Sequence, residues 1–219
     1  MNDFHCRHFL LILVLLCAEE GAAEELPVLV GNFSRGDLSG WEVKKFHGET
    51  RYRLVELDGR KVLQAISRQG ASGLVKKQRI DLRVTPFLNW QWRIENRLGP
   101  LPEQQKTGDD YAARVYVIVS GGWAFWRTRA INYVWSGGSE KGAVWENAFA
   151  GRNAVMIVLR SAQDPVAAWR REKRNVREDL QKRYGKDFHF IDAVALMTDT
   201  DNAGGQATAY YGDIYFSSN

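Results

Sequence analysis

Between Phe87 and Glu95 the chain reads FLNWQWRIE and, from Leu88 on, changes polarity at every residue. Leu88, Trp90, Trp92 and Ile94 fall on one side of an extended chain, and Asn89, Gln91, Arg93 and Glu95 fall on the other. A period of two over this length describes a strand with one face in a core and one in water. The stretch Gly108–Ser120, GDDYAARVYVIVS, repeats the pattern. There Tyr111, Ala113, Val115, Val117 and Val119 are expected to face inward, and Asp110, Ala112, Arg114, Tyr116 and Ile118 outward. Charges on that second face need partners, so it is polar, a candidate for binding, and expected to pair Asp110 with Arg114.

The rest of the chain supplies more strands. Trp41–Phe46, Thr50–Leu57, Lys61–Ser67, Leu74–Leu82, Phe125–Trp135, Ala154–Arg160, Phe190–Thr198 and Thr208–Phe216 all read as extended. Asp58-Gly59 between two of them is a two-residue hairpin signal. One helix is expected near residues 165–184. Asp164 would cap it and Pro165 would take the first position. Val166, Trp169, Val176, Leu180 and Tyr184 would form its buried stripe, and Gly185 would stop it. Without regular helical crossovers a parallel sheet is disfavoured. The fold class is therefore mainly β, an antiparallel β-sandwich of jelly-roll type with one long helix near 165–184.

Residues 1–23 have the form of a secretory signal. Arg7 precedes the apolar run Phe9–Ala18, and Gly21-Ala22-Ala23 offers a cleavage site. The run is short for a bilayer span, so no stable membrane span is expected after cleavage. The mature domain is expected over residues 24–219, in the periplasm or secreted. Cys6 and Cys17 both lie in the leader, which leaves the mature chain no disulfide and no thiolate. Removing the leader takes one basic and three acidic residues with it and raises the net charge from +4 to +6. Both signs are well mixed, so the surplus reads as solubility charge.

The motifs of common enzymes are missing. The mature chain has two histidines, His47 and His189, and no HExxH, CxxC, GxSxG or phosphate-binding GxxxxGK[ST]. The basic residues of the helix come with no recognition motif, so no nucleic acid is expected as a partner. Thr198–Gly205, TDTDNAGG, is the densest polar segment. Asp199, Asp201 and Asn202 place oxygen ligands within four residues, which suits Ca2+ as a cofactor; a turn held by Asx hydrogen bonds is the competing explanation. Asp109 and Asp110, adjacent on an extended chain, point to opposite sides and cannot form an acid/base dyad with each other. The two acidic segments are expected to meet near Arg114. Trp123, Trp126, Tyr133, Trp135, Trp145, Tyr211 and Tyr215 could stack on sugar rings or fill a core.

LNWQWRIEN, GDDYAARVYVIV, INYVWSGG, the 169–179 segment with its spaced Trp, Arg and Lys residues, and ALMTDTDNAGG…AYYGDIYF together resemble a bacterial family of unknown function, DUF3047, over roughly residues 30–217. The resemblance implies an exported single-domain protein and no assigned activity. Ala203 stands where the family pattern usually has Thr. The resemblance draws attention to Asp109, Asp110, Arg114, Trp135, Arg174 and Asp213 as ligand-binding candidates, and to Asp199, Asp201 and Asn202 for a metal. The expected function is non-catalytic recognition of a carbohydrate or other envelope polymer. A glycan hydrolase or lyase using Asp pairs is an alternative, and an envelope assembly protein that binds another protein is a third.

Overall fold

A computed structural model describes residues 26–219. The leader expected at 1–23 lies outside the described residues. In chain order the strands are β1 (Val28–Gly31), β2 (Trp41–His47), β3 (Arg51–Leu57), β4 (Arg60–Arg68), β5 (Ala71–Asp81), β6 (Phe87–Ile94), β7 (Ala113–Val119), β8 (Arg129–Trp135), β9 (Val144–Asn147), β10 (Gly151–Arg160), β11 (Arg170–Asn175), β12 (Phe190–Met197), β13 (Gln206–Tyr211) and β14 (Ile214–Ser217), with one α-helix, α1 (Val176–Tyr184), between β11 and β12. No helix among the described residues is long and apolar enough to cross a membrane.

The strands form two seven-stranded sheets stacked as a β-sandwich. The first runs β1-β14-β6-β13-β4-β3, with β11 on the other side of β6. The second runs β2-β5-β12-β7-β8-β10-β9. All pairs are antiparallel except β8 with β10. The alternation of β6 is realised in full: Leu88, Trp90, Trp92 and Ile94 are buried and their neighbours are half-buried. They meet the inner face of the second sheet, where the Trp90 ring lies 5.4 Å from Tyr133 and the Trp92 ring 5.8 Å from Trp135. A buried Trp removes on the order of 200 Å² from water, about 5 kcal/mol at about 25 cal/mol per Å². This aromatic layer is a principal source of cohesion between the sheets. Asp58 and Gly59 both take positive φ, at 52° and 72°, as the tight β3–β4 hairpin requires.

Three expectations need correction. The helix covers residues 176–184 only. The Asp164 carboxylate instead holds Arg160 and the Ser161 N–H, Ala167 has a φ of 55°, and residues 170–175 pair with β6 as β11. Glu172 points inward and accepts from Trp92 Nε1 at 3.0 Å, so an alternating pattern hides within the basic run. Asn175 is the N-cap, accepting from the Glu178 N–H at 3.2 Å, and Gly185 ends the helix in a left-handed conformation as expected. Val176 and Leu180 are buried, but Trp169 lies outside the helix, half-buried, with Nε1 on Asp58 and Arg60 across its ring. The final expected strand is two strands. Gly212-Asp213 interrupts it and shifts the parity, so Tyr211 is buried before the break and Ile214 and Phe216 after it. Tyr111 does not continue the inward set of β7, because the strand begins only at Ala113.

Candidate functional site

Arg114 opens the site. It stands opposite Val134 of β8 and Met197 of β12, which puts it on the outward face of the second sheet. Two loops fold over it, and its side chain is 3% exposed. The loop before β7 brings Asp109, Asp110 and Tyr111; the loop after β12 brings Asp199, Asp201 and Asn202. The guanidinium grips both oxygens of Asp199, with Nε at 2.9 Å from Oδ1 and Nη2 on Oδ2. It also donates to the Asp109 carboxylate at 3.4 Å and to the Asp109 carbonyl. The Tyr111 ring covers it at 4.3 Å. A planar fork between two carboxylates, capped by a ring, is an arrangement that Arg suits and Lys does not.

The two acidic segments therefore meet at Arg114, as the sequence suggests. The expected Asp110–Arg114 pair does not form. Asp110 instead accepts from the Asn202 N–H at 3.1 Å, Asn202 Nδ2 at 3.1 Å and the Ala203 N–H at 2.7 Å. Because the backbone of Ala203 makes this contact, no hydroxyl is needed at that position. Asn202 meets the carboxylates through nitrogen, which is a donor's role and not that of a metal ligand. Asn147 Nδ2 holds Asp109 at 3.1 and 3.2 Å, a contribution no sequence signal marks.

Four carboxylates gather around one guanidinium. Oxygens of Asp110, Asp199 and Asp201 lie within 4.8 Å of one another, the spacing a single cation could bridge. Burial pushes the Asp199 carboxyl up to about 7, reinforced by Asp110 and Asp109 and opposed by Arg114. Burial and Asp110 also raise Asp201. Asp199 is 1% exposed, and both its oxygens hold Arg114. It is placed to organise charge around Arg114.

The loop carrying Asp109 is pinned by Glu103, a buried carboxylate that sequence reading missed. It accepts from Ser136 Oγ at 2.6 Å, the Gly137 N–H at 2.8 Å and Ser139 Oγ at 2.8 Å. A Cβ on Gly137 would lie 2.5 Å from the Leu98 carbonyl oxygen, so only glycine lets the two loops close.

The other candidates disperse. Trp135 is not on the polar face: it pairs with Ala113 of the inward set and is 1% exposed against Trp92. Arg174 leaves β11 to hold Asp179 of α1 at 2.6 Å, beside Tyr133. Asp213 accepts from the Ser34 N–H and Oγ at 2.8 and 2.5 Å, on the first sheet.

Next to the Arg114 cluster the outward face continues through Tyr116, which is half-buried, and Asn132, its cross-strand partner. Tyr116 donates to Met197 Sδ at 3.3 Å, and Asn132 to Met156 Sδ at 3.3 Å. Asn132 is 1% exposed, and its carboxamide oxygen has no partner. Ala130, Ala154, Ala193 and Ala195 share this face by register. Phe46, 61% exposed, stands over Gly73 toward one edge, and Trp145 lies against Met156 at the other.

These features define a class: a two-sheet β-sandwich carrying an arginine-centred acidic cluster beside an outward sheet face. The chain belongs to the family described as a protein of unknown function, DUF3047, whose model matches residues 39–215. Among curated proteins, none matches the chain in sequence. Among solved structures the chain is similar to a carbohydrate-binding module of promiscuous specificity from the β-sandwich superfamily, at 14% identity and a TM-score of 0.46, covering 85% of this chain and 61% of that one. It is also similar to a family 11 carbohydrate-binding module from Clostridium thermocellum, at 10% identity and a TM-score of 0.46 over 87% of this chain and 95% of that one. For cellulose induced protein Cip1 the values are 11% and 0.48, over 89% and 98%. The chain spans less than two thirds of the first of these structures.

Proposed function

We propose that residues 24–219 form one exported domain that binds a carbohydrate chain, without catalysis, along the outward face of the second sheet. Tyr116 carries this reading. It presents a half-buried ring at the middle of a β-sheet, its direct cross-strand partners are Ala195 and Asn132, and its hydroxyl rests on Met197. Ala130, Ala193 and Ala195 keep the face low on part of the ring's surroundings, and there a sugar can lie against it with its apolar face down. Asn132 beside the ring has a buried carboxamide oxygen without a protein partner, an acceptor for a sugar hydroxyl once the side chain turns outward. Phe46 and Trp145 bound the face on its two sides. The expected leader supplies the export, and N-terminal sequencing of protein recovered outside the cytoplasm would find the chain starting near Glu24.

Affinity electrophoresis against a panel of soluble polysaccharides, run beside a reducing-sugar release assay, tests the proposal. Retardation without sugar release is expected, and Tyr116→Ala should weaken it roughly tenfold, the scale of one lost stacking contact plus its burial. Retention of full binding by Tyr116→Ala would remove the face from consideration. Sugar release that tracks binding would replace a binding module with an enzyme.

The acidic cluster has a separate role in this proposal. Asp110, Asp199 and Asp201 hold Ca2+, which neutralises the charge that Arg114 leaves over and locks the two loops that flank the sugar face. The ligand set contains oxygen alone, which favours Ca2+ over Zn2+.

A further inference from the structure

The first sheet does not cover the whole inner face of the second. Trp90 and Trp92 reach the far end of β8, and toward the starts of β8 and β10 the cover is α1. Tyr133 of β8 donates to Asp179 at 2.7 Å, and Tyr184 donates to the carbonyls of Ala130 and Asn153 at 2.8 and 3.2 Å. Where the helix ends, the junction opens into a cavity of about 630 Å³. Arg127, Arg129, Arg152, Arg183 and Lys186 line it, and Glu146 is the one carboxylate on its wall.

The five cations come from four segments: the turn before β8, β8 itself, β10, and α1 with the loop after it. None of them forms an ion pair among the described residues, whereas Arg177 and Lys182 of the same helix meet Asp187 and Glu178. Arg129 is fixed by neutral acceptors, Asn153 Oδ1 at 2.6 Å and the Thr128 carbonyl at 2.9 Å. The negative end of the helix dipole explains a cation at Arg183 or Lys186. It does not explain Arg127 and Arg152, which belong to other elements. Like charges converging on one concavity repel one another unless an anion joins them.

We propose that this cavity binds an oligoanion, a small ligand carrying two or more phosphate, sulfate or carboxylate groups. Its volume falls in the range of small-molecule sites. The cations line one open concavity, which suits a compact ligand. Arginine forks fit oxyanions in pairs, and Tyr184 and Phe188 give the scaffold of the ligand an apolar wall. The residues are distinct from those of the Tyr116 face, so this site stands or falls without the sugar reading.

Calorimetric titration of the full protein with inorganic tripolyphosphate, and separately with a sulfated disaccharide, tests it. The titrations are run at about 0.01 M and about 0.15 M salt, where the screening length falls from about 30 Å to about 8 Å. One-site binding at low salt that weakens at high salt is expected for at least one ligand. Tripolyphosphate alone would identify a phosphate ligand, the disaccharide alone a sulfated sugar, and both would show that the anion itself is recognised. Arg152→Gln combined with Arg183→Gln changes two exposed side chains and should weaken binding roughly tenfold. Arg35→Gln with Lys61→Gln removes the same charge from the first-sheet side of the molecule and should leave affinity within about twofold, as screened distant charges do. No heat at low salt with either ligand, or an equal loss in both double variants, overturns the proposal.

Discussion

Arg114 is 2% exposed and partners two carboxylates, one carbonyl and a ring. Removing one member of a buried ion pair leaves the others charged and dry, which costs about 3–5 kcal/mol. Arg114→Met should therefore lower unfolding free energy by about that amount in urea titrations. Asp109→Asn, which keeps a hydrogen-bonding oxygen and leaves Asp199 in place, should cost clearly less. A loss below about 1 kcal/mol for Arg114→Met would mean that the loops pack without their central cation. The residues of this cluster were legible in the sequence as two short acidic runs and one strand arginine. Their pairing was not. Which carboxylate reaches the guanidinium depends on where β7 begins, and alternation in GDDYAARVYV gives no sign that the strand stops short of Tyr111. Asn147 and Glu103 lie in segments without pattern, and their roles exist only once loops distant in sequence are brought together.

β6, which alternates strictly, appears where the sequence places it because period two has one structural solution, and β3, β4 and β12 fall within a residue of their expected ends. The helix is the instructive failure. RREKRN is polar enough to pass for a helix surface, and Pro165 after Asp164 resembles a start. Tertiary pairing with β6 overrides both. The true start carries the better signal: Asn175 and Glu178 cap reciprocally, with Asn175 Nδ2 donating to Glu178 Oε1 at 2.9 Å. Asn175→Ala should cost about 1 kcal/mol, read as a shift in urea midpoint. From the same first turn Arg177 reaches Asp187, in the loop after the helix, at 2.7 Å. That hydrogen bond, together with the charges of Arg177 and His189, keeps the Asp187 carboxyl down at about 2, against an ordinary 3.8. A depressed folded value means that the contribution is fully present above 3.8 and is lost as pH falls through about 2. Over that interval the wild type should lose more stability than Asp187→Asn, which has no proton to take up. Parallel acid titrations of the two proteins that stay superimposed would show that the pair contributes nothing at this exposed position.

At the scale of the whole molecule, the proposed cation joins loops contributed by β7 and β12, neighbours at the centre of the second sheet. A ligand that binds only the folded state raises its stability by mass action, about 2.7 kcal/mol at a hundred times Kd. Metal-free protein should therefore melt several degrees higher in millimolar Ca2+ than without it. A double variant, Asp110→Asn with Asp201→Asn, should melt at one temperature in both conditions. A wild type indifferent to Ca2+ would leave the acidic residues as a hydrogen-bonded loop clasp and nothing more.

The outermost strand of the first sheet has a different consequence. Val28 of β1 lies opposite Phe216 of β14, so the two ends of the described chain leave the fold side by side. Topologically the chain is almost a ring. A few Gly and Ser residues joining Asn219 to Leu26 would close it, and new ends could be cut at Asp58-Gly59, where both residues are exposed. Such a circular permutant keeps every strand neighbour and should unfold cooperatively, with the same dependence on urea as the parent. It gives up the local β3–β4 turn and, with it, the fixed place of Asp58 against Arg93 and Trp169. If it fails to fold, that hairpin is where assembly of the sandwich begins.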